Sequence, residues 1–227
     1  MAPLDDPTYR EAIIDLLAVL AYTELSAFER LAADAALAPT VGDKAELARM
    51  AAAELRHFEQ LRDRLTELGA DSEAAMQPFA QGVDAFHEST RPADWLEGLV
   101  KAYVGDGIAA DFYREIATHL DEETGDLVMG VCADTGHSAF AVERVRAAIA
   151  ADPRVAGRLA LWGRRLVGEM LSQAQRVAAE RDSLVTLIVG GMEPAGRPSF
   201  DLAALAQMFA RLTENHTLRM QTLGLSA

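Results

Sequence analysis

In 227 residues there is one cysteine, Cys132, and there are two lysines, Lys44 and Lys101. A single thiol excludes an intramolecular disulfide and fits a reducing compartment. Nor does any run approach the ~18 uninterrupted apolar residues of a membrane span, so no membrane association is expected. Positive charge is scarce: 21 basic against 35 acidic residues leave a formal net charge of −14. This excludes a protein that coats nucleic acid or anionic lipid nonspecifically, because such binding draws its free energy from cations on the protein. The opening residues, Met-Ala-Pro-Leu-Asp-Asp-Pro-Thr, hold no basic stretch followed by an apolar one. No secretion signal is therefore expected, and the expected location is cytoplasmic. With no long Pro-, Gly- or Ser-rich linker, residues 1–227 are expected to form a single domain.

What is present favours helix. Half of the residues are hydrophobic, alanine is abundant, and no useful length alternates with period two, so the chain reads as all-α. Bundle helices are expected at about 8–37, 43–68, 93–120 and 125–150, with accessory helices at about 154–189 and 201–222. Asp6-Pro7 starts the first, Pro39 stops it, and Gly69 closes the second. Short joints make the first two helices one hairpin and the next two another, and the connection at about 70–91, with at most a short helical turn, crosses between them. The result is a four-helix bundle with one long crossover and two C-terminal accessory helices.

The apolar stripes of the bundle helices are interrupted by charge. Glu24 falls between Leu20 and Phe28, and Glu54 and His57 fall between Met50 and Leu61. Asp106 falls between Tyr103 and Ala110, and Asp134 and His137 between Val131 and Ala141. Residues three or four apart share a helix face, so each bundle helix turns at least one carboxylate inward. Buried carboxylates need compensating cations, and neither lysine nor arginine shares these faces. The order also repeats. Asp106 follows Glu24 by 82 residues and Asp134-Thr-Gly-His137 follows Glu54-Leu-Arg-His57 by 80. An acid from two helices and an acid-x-x-His from two others is the donor set of di-iron carboxylate bundles, and it suits Fe or Mn. The alternative is a buried polar network without metal.

Other features carry two readings each. Gly105, Gly107 and Gly136 beside the inward acids imply a cavity or close helix packing. Tyr22 and Tyr103 are partners of a metal ligand or core residues, with Tyr103 the one catalytic candidate beyond the ligands. Between Phe140 and Arg181 eight arginines face four acids, forming a phosphate-facing patch or ordinary solvated faces. Glu214 and His216 read as a solvated pair.

Several stretches carry a family resemblance: Tyr22-Thr-Glu-Leu-Ser-Ala-Phe28, Met50-Ala-Ala-Ala-Glu-Leu-Arg-His-Phe58, Asp94-Trp-Leu-Glu-Gly-Leu-Val-Lys-Ala-Tyr-Val-Gly-Asp106, Asp134-Thr-Gly-His137 and Leu161-Trp-Gly-Arg-Arg-Leu-Val-Gly168. The chain resembles the ferritin-like superfamily, and within it bacterial proteins similar to the tRNA 2-methylthio-N6-isopentenyladenosine hydroxylase. The resemblance implies a ferritin-like fold and an O2-activating di-iron hydroxylase, with Glu24, Glu54, His57, Asp106, Asp134 and His137 holding two Fe ions, or Mn in place of Fe. It further implies O2 and an organic substrate, such as a modified tRNA nucleoside, as partners of a monomer or homodimer. Where this chain has Asp106 and Asp134 the hydroxylase pattern has glutamates, which shortens both carboxylates of the second half-site. A metal-handling or peroxide-consuming protein and a noncatalytic interaction protein are the alternatives.

Overall fold

A computed structural model describes residues 3–133, 137–181, 183–184, 187 and 202–227. Described residues are helical throughout their regular structure, with no strand among them: α1 Pro7–Asp34, α2 Val41–Glu67, α3 Ser72–Ser89, α4 Trp95–Ala117, α5 Glu122–Val131, α6 His137–Ala151, α7 Arg154–Glu180 and α8 Leu202–Leu223. The helix ends follow local chemistry. Asp6 caps α1 through Thr8 N–H and Tyr9 N–H, with Pro7 in the first turn. Thr40 caps α2, which starts at Val41 rather than at about residue 43, and Gly69 at φ 69° closes that helix in a left-handed turn.

α1 packs along α2, and α4 packs against α5 and α6, which gives the two expected hairpins. α7 lies on α3 and α4, and α8 on α4 and α6. Arg158 and Trp162 of α7 dock on the first turn of α4, the indole N–H donating to Glu97 O at 2.9 Å and the guanidinium pairing with Asp94 at 2.7 Å.

Two expectations need correction. The connection at 70–91 contains an eighteen-residue helix, α3, capped by Asp71 and running through Pro78. Packing against α1 and α7 outweighs the proline. The fourth bundle helix, expected unbroken over 125–150, is two helices: α5 ends at Val131 and α6 begins at His137. Ala133 N–H bonds back to Gly130 O at 3.2 Å, a tightening of the kind found at helix ends. The Arg114 guanidinium from α4 covers Cys132 O, supplying a donor to a carbonyl of that terminus.

Two apolar clusters fill the bundle, one at each end. The first joins Leu31, Leu47, Met50, Leu99, Val145 and Leu166, and the second joins Ile13, Leu17, Leu20, Leu61, Leu65, Ile116 and Val128. Along α1 the switch falls between Ala21 and Leu31, and along α2 between Ala51 and Leu61. A polar layer occupies the level between the clusters. α1 and α4 touch little across the bundle, because a cavity of about 400 Å³ lies between them, closed further by α3, α7 and α8.

Candidate metal centre

The polar layer brings Glu24 of α1 and Glu54 and His57 of α2 together. Their donor atoms all lie within 4.8 Å of one another. His57 Nδ1 stands 3.3 Å from Glu24 Oε2 and 3.5 Å from Glu54 Oε2, and all three side chains are largely enclosed. Among the described residues His57 is the only basic group within ion-pair distance of either glutamate. The electrostatics record that shortage of positive charge. Burial, then the neighbouring Glu24 carboxylate, push Glu54 up to about 8, against the pull of His57. The hydrogen bonds to Glu24 and Glu54 raise His57 to about 9 although burial opposes them. Such a cluster takes up protons where no metal ion balances it.

Asp106 enters the same layer from α4. It is exposed to the cavity that it lines rather than buried in the core as expected, although neighbouring helices crowd the carboxylate. Burial and the charge of Glu54 hold it well above the usual carboxylate range, while Lys101 and His57 pull it down. Asp106 does not share the short donor spacing of the other three. Asp134 lies outside the described residues, as does the side chain of His137, whose backbone opens α6.

Two glutamates and one imidazole at this spacing suit a hard, oxygen-preferring ion such as Fe(II) or Mn(II), with the histidine adding a nitrogen donor. An ion there would also balance the charge of the paired carboxyl groups. The described trio therefore fits one metal ion.

The surroundings alter several expectations. Gly105 faces open space, as a cavity requires, since a Cβ built there meets no atom within 4 Å. Gly107 is a close-packing glycine: its Cβ would come within 2.8 Å of Arg219 Cδ. Gly136 lies outside the described residues. Tyr22 turns to the surface and donates to Asp84 on α3 at 3.1 Å. Tyr103 is half-buried against the first apolar cluster. Tyr113 also lines the cavity, and burial and the charges of Cys132 and Glu24 raise it. Cys132 is raised to about 12 by burial and by Glu24. The sequence signal for Tyr113 was its place seven residues beyond Asp106, two turns along the same face.

His216 is buried while Glu214 is exposed, so these two are not a solvated pair. Seven of the eight arginines of residues 140–181 already have partners. Arg144, Arg154, Arg158 and Arg181 pair with Asp43, Asp152, Asp94 and Asp15, and Arg146, Arg164 and Arg165 donate to backbone carbonyls. Among the described residues no helix is long and apolar enough to cross a membrane.

No curated protein matches the sequence. A family model described as the ferritin-like domain of actinomycetes matches residues 7–191, from the first residue of α1 to beyond α7. Because that match spans every bundle helix and most of the sequence, the chain belongs to the family of actinomycete ferritin-like domains.

Proposed function

We propose that the chain is a metal-dependent oxidase of ferritin-like fold that activates O2 and hydroxylates an organic substrate held in the cavity. The observation that carries the reading is the junction of two features. Glu24, Glu54 and His57 form a compact donor set, and Asp106, which feels the charges of Glu54 and His57, lines a cavity of about 400 Å³. Cavities of roughly 300–1,000 Å³ are ordinary ligand pockets. A protein that only stores or ferries metal has no use for such a chamber.

In this reading Glu24, Glu54 and His57 hold one ion, and Asp106, Asp134 and His137 contribute to a second, as two Fe or as Fe with Mn. The bound metals supply the redox chemistry with O2. Overall, one oxygen atom enters a substrate C–H bond and the other leaves as water, with two electrons from a reduced redox partner and two protons from solvent. The protein's own groups do the rest. Largely apolar walls from α1, α4 and α7 would hold the hydrocarbon part of a substrate, and Tyr113, which lines the cavity and feels the charge of Glu24, would supply a hydroxyl there. The finer reading, a modified nucleoside carried by tRNA, rests on the sequence resemblance. It requires phosphate contacts that the tied arginines do not offer, so tRNA binding should be weak and should fade with salt.

The test is incorporation of label from 18O2 after anaerobic loading with Fe(II), or Fe(II) and Mn(II), and reduction. The reading expects labelled hydroxylated product from an apolar or amphiphilic substrate. Iron oxidation accompanied by release of ferric ions, without label in any organic product, would favour metal handling instead.

A further inference from the structure

The end of the cavity remote from the second apolar cluster is polar, and the metal centre does not use it. Arg30 and Asp34 of α1, His87 of α3 and Lys101 of α4 all line it. His87 and Lys101 are each 8% exposed. Arg30 Nε and both ring nitrogens of His87 are buried with no hydrogen-bond partner among the described residues. Lys101 Nζ donates to Thr90 O at 2.9 Å and stands 5.5 Å from the centre of the Phe86 ring. An ammonium carries three donors, so that one hydrogen bond leaves capacity unspent. Buried polar atoms left in this state are rare in folded proteins and call for an explanation.

Charge narrows the occupant. Arg30 and Lys101 bring two positive charges, and Asp34 brings one negative charge, its carboxyl oxygen over Gly98, where an added Cβ would sit 3.4 Å away. One positive charge is left over. Asp106 also acts on Lys101, but its carboxylate belongs to the layer of Glu54 and His57. His87 stays neutral: burial, then the charges of Lys101 and Arg30, lower it to about 3. It therefore offers one donor and one acceptor. Away from this corner the cavity runs past Phe112 and Ile116 to Leu184 and Leu187, all apolar. Water alone would satisfy the polar corner, but it would gain nothing from the apolar remainder.

We propose that this corner is an anion subsite, in which Arg30, Lys101 and His87 hold the carboxylate head of an amphiphilic substrate while its hydrocarbon chain lies along α4 past Asp106. The inference rests on the cavity being the substrate pocket of the proposed oxidase. Helical rise sets Asp106 ~7.5 Å beyond Lys101 along α4, and Ile116 ~27 Å beyond Gly98. The head is thus held apart from the metal layer, and a carbon a few bonds along the chain is presented to it.

Calorimetric titration of the full-length protein with dodecanoate, dodecanol and dodecyltrimethylammonium tests this, with metal content measured on the same samples. Dodecanoate should bind ~10-fold or more tightly than dodecanol, the cost of leaving charged donors unpaired, and the cationic amphiphile should bind weakest. Lys101→Met and Arg30→Met should abolish the preference for acid over alcohol, and Lys101→Arg should keep it. Gly105→Leu, which fills the chamber, should weaken acid and alcohol alike. Equal binding of acid and alcohol to the unmodified protein, or no binding of either, overturns the subsite. So does a preference that survives both methionine variants. Absence of the preference in unmodified protein that retains its ions sinks this inference alone, whereas a preference shown by unmodified protein that takes up no metal sinks the oxidase reading alone.

Discussion

With no metal ion bound, Glu54 and His57 keep protons that the unfolded chain would release sooner. Glu54 rises from 4.5 to about 8 and His57 from 6.5 to about 9. Both shifts favour the folded state below the unfolded value, and that stability is lost as pH rises through the folded value. Other buried groups act outside the middle of the range. His87, lowered to about 3, adds stability as pH rises towards 6.5, and Lys101, lowered to about 8, does so above 8. Between pH 6.5 and 8, therefore, the melting temperature of metal-free protein should fall. Glu54→Gln should reduce that fall, and a flat profile in the unmodified protein would contradict the assignment. Metal must displace the same protons, so at pH 7 uptake should release at least one proton per ion, measurable by calorimetry in buffers of different ionisation enthalpy. Glu24, Glu54 and His57 are legible in the sequence because each interrupts an apolar stripe at helical phase. Tyr113 and Cys132 are not, because each is a plausible stripe or cap residue whose nearness to Glu24 arises only when four helices are assembled.

At the scale of the helix, Gly105 and Gly107 of α4 have opposite roles. Gly105→Ala places a methyl group in open space, so helix propensity alone acts and should stabilise the protein by ~0.5–1 kcal/mol. Gly107→Ala drives a Cβ against Arg219, which ties α8 to α4 through Asp111 at 2.6 Å, and should cost ~1–3 kcal/mol. Denaturant titration of the two variants separates them, and equal effects would refute the distinction between cavity wall and packed contact. The four bundle stripes and the hairpin order are legible because periodicity reports a buried face. α3 is harder to read: Pro78 and Gly82 lower its intrinsic propensity, and its helicity comes from packing on α1 and α7. Without α3, Tyr22 has no Asp84 to reach and His87 falls in a loop, so both take wrong roles. The end of α5 at Val131 is likewise hidden in a sequence whose apolar residues continue in phase to Ala141 and Val145.

Taken whole, the described residues form two apolar clusters separated by a polar layer in which the carboxyl groups of Glu24, Glu54 and Asp106 meet the imidazole of His57. An ion in that layer binds the folded chain and not the unfolded one, and at 100 times its dissociation constant it should add ~2.7 kcal/mol of stability. The net charge of −14 draws cations rather than polyanions towards the surface, consistent with a small-molecule substrate rather than a phosphate backbone. The most direct measurement is elemental analysis of the protein after anaerobic loading with Fe(II) or Mn(II) and removal of free metal. The account predicts at least one tightly held ion per chain, with affinity ~100-fold or more weaker in Glu54→Ala and His57→Ala, since even outer partners of metal ligands are worth ~10–100-fold. Substoichiometric metal under every loading condition, or retention unchanged in both variants, would contradict it.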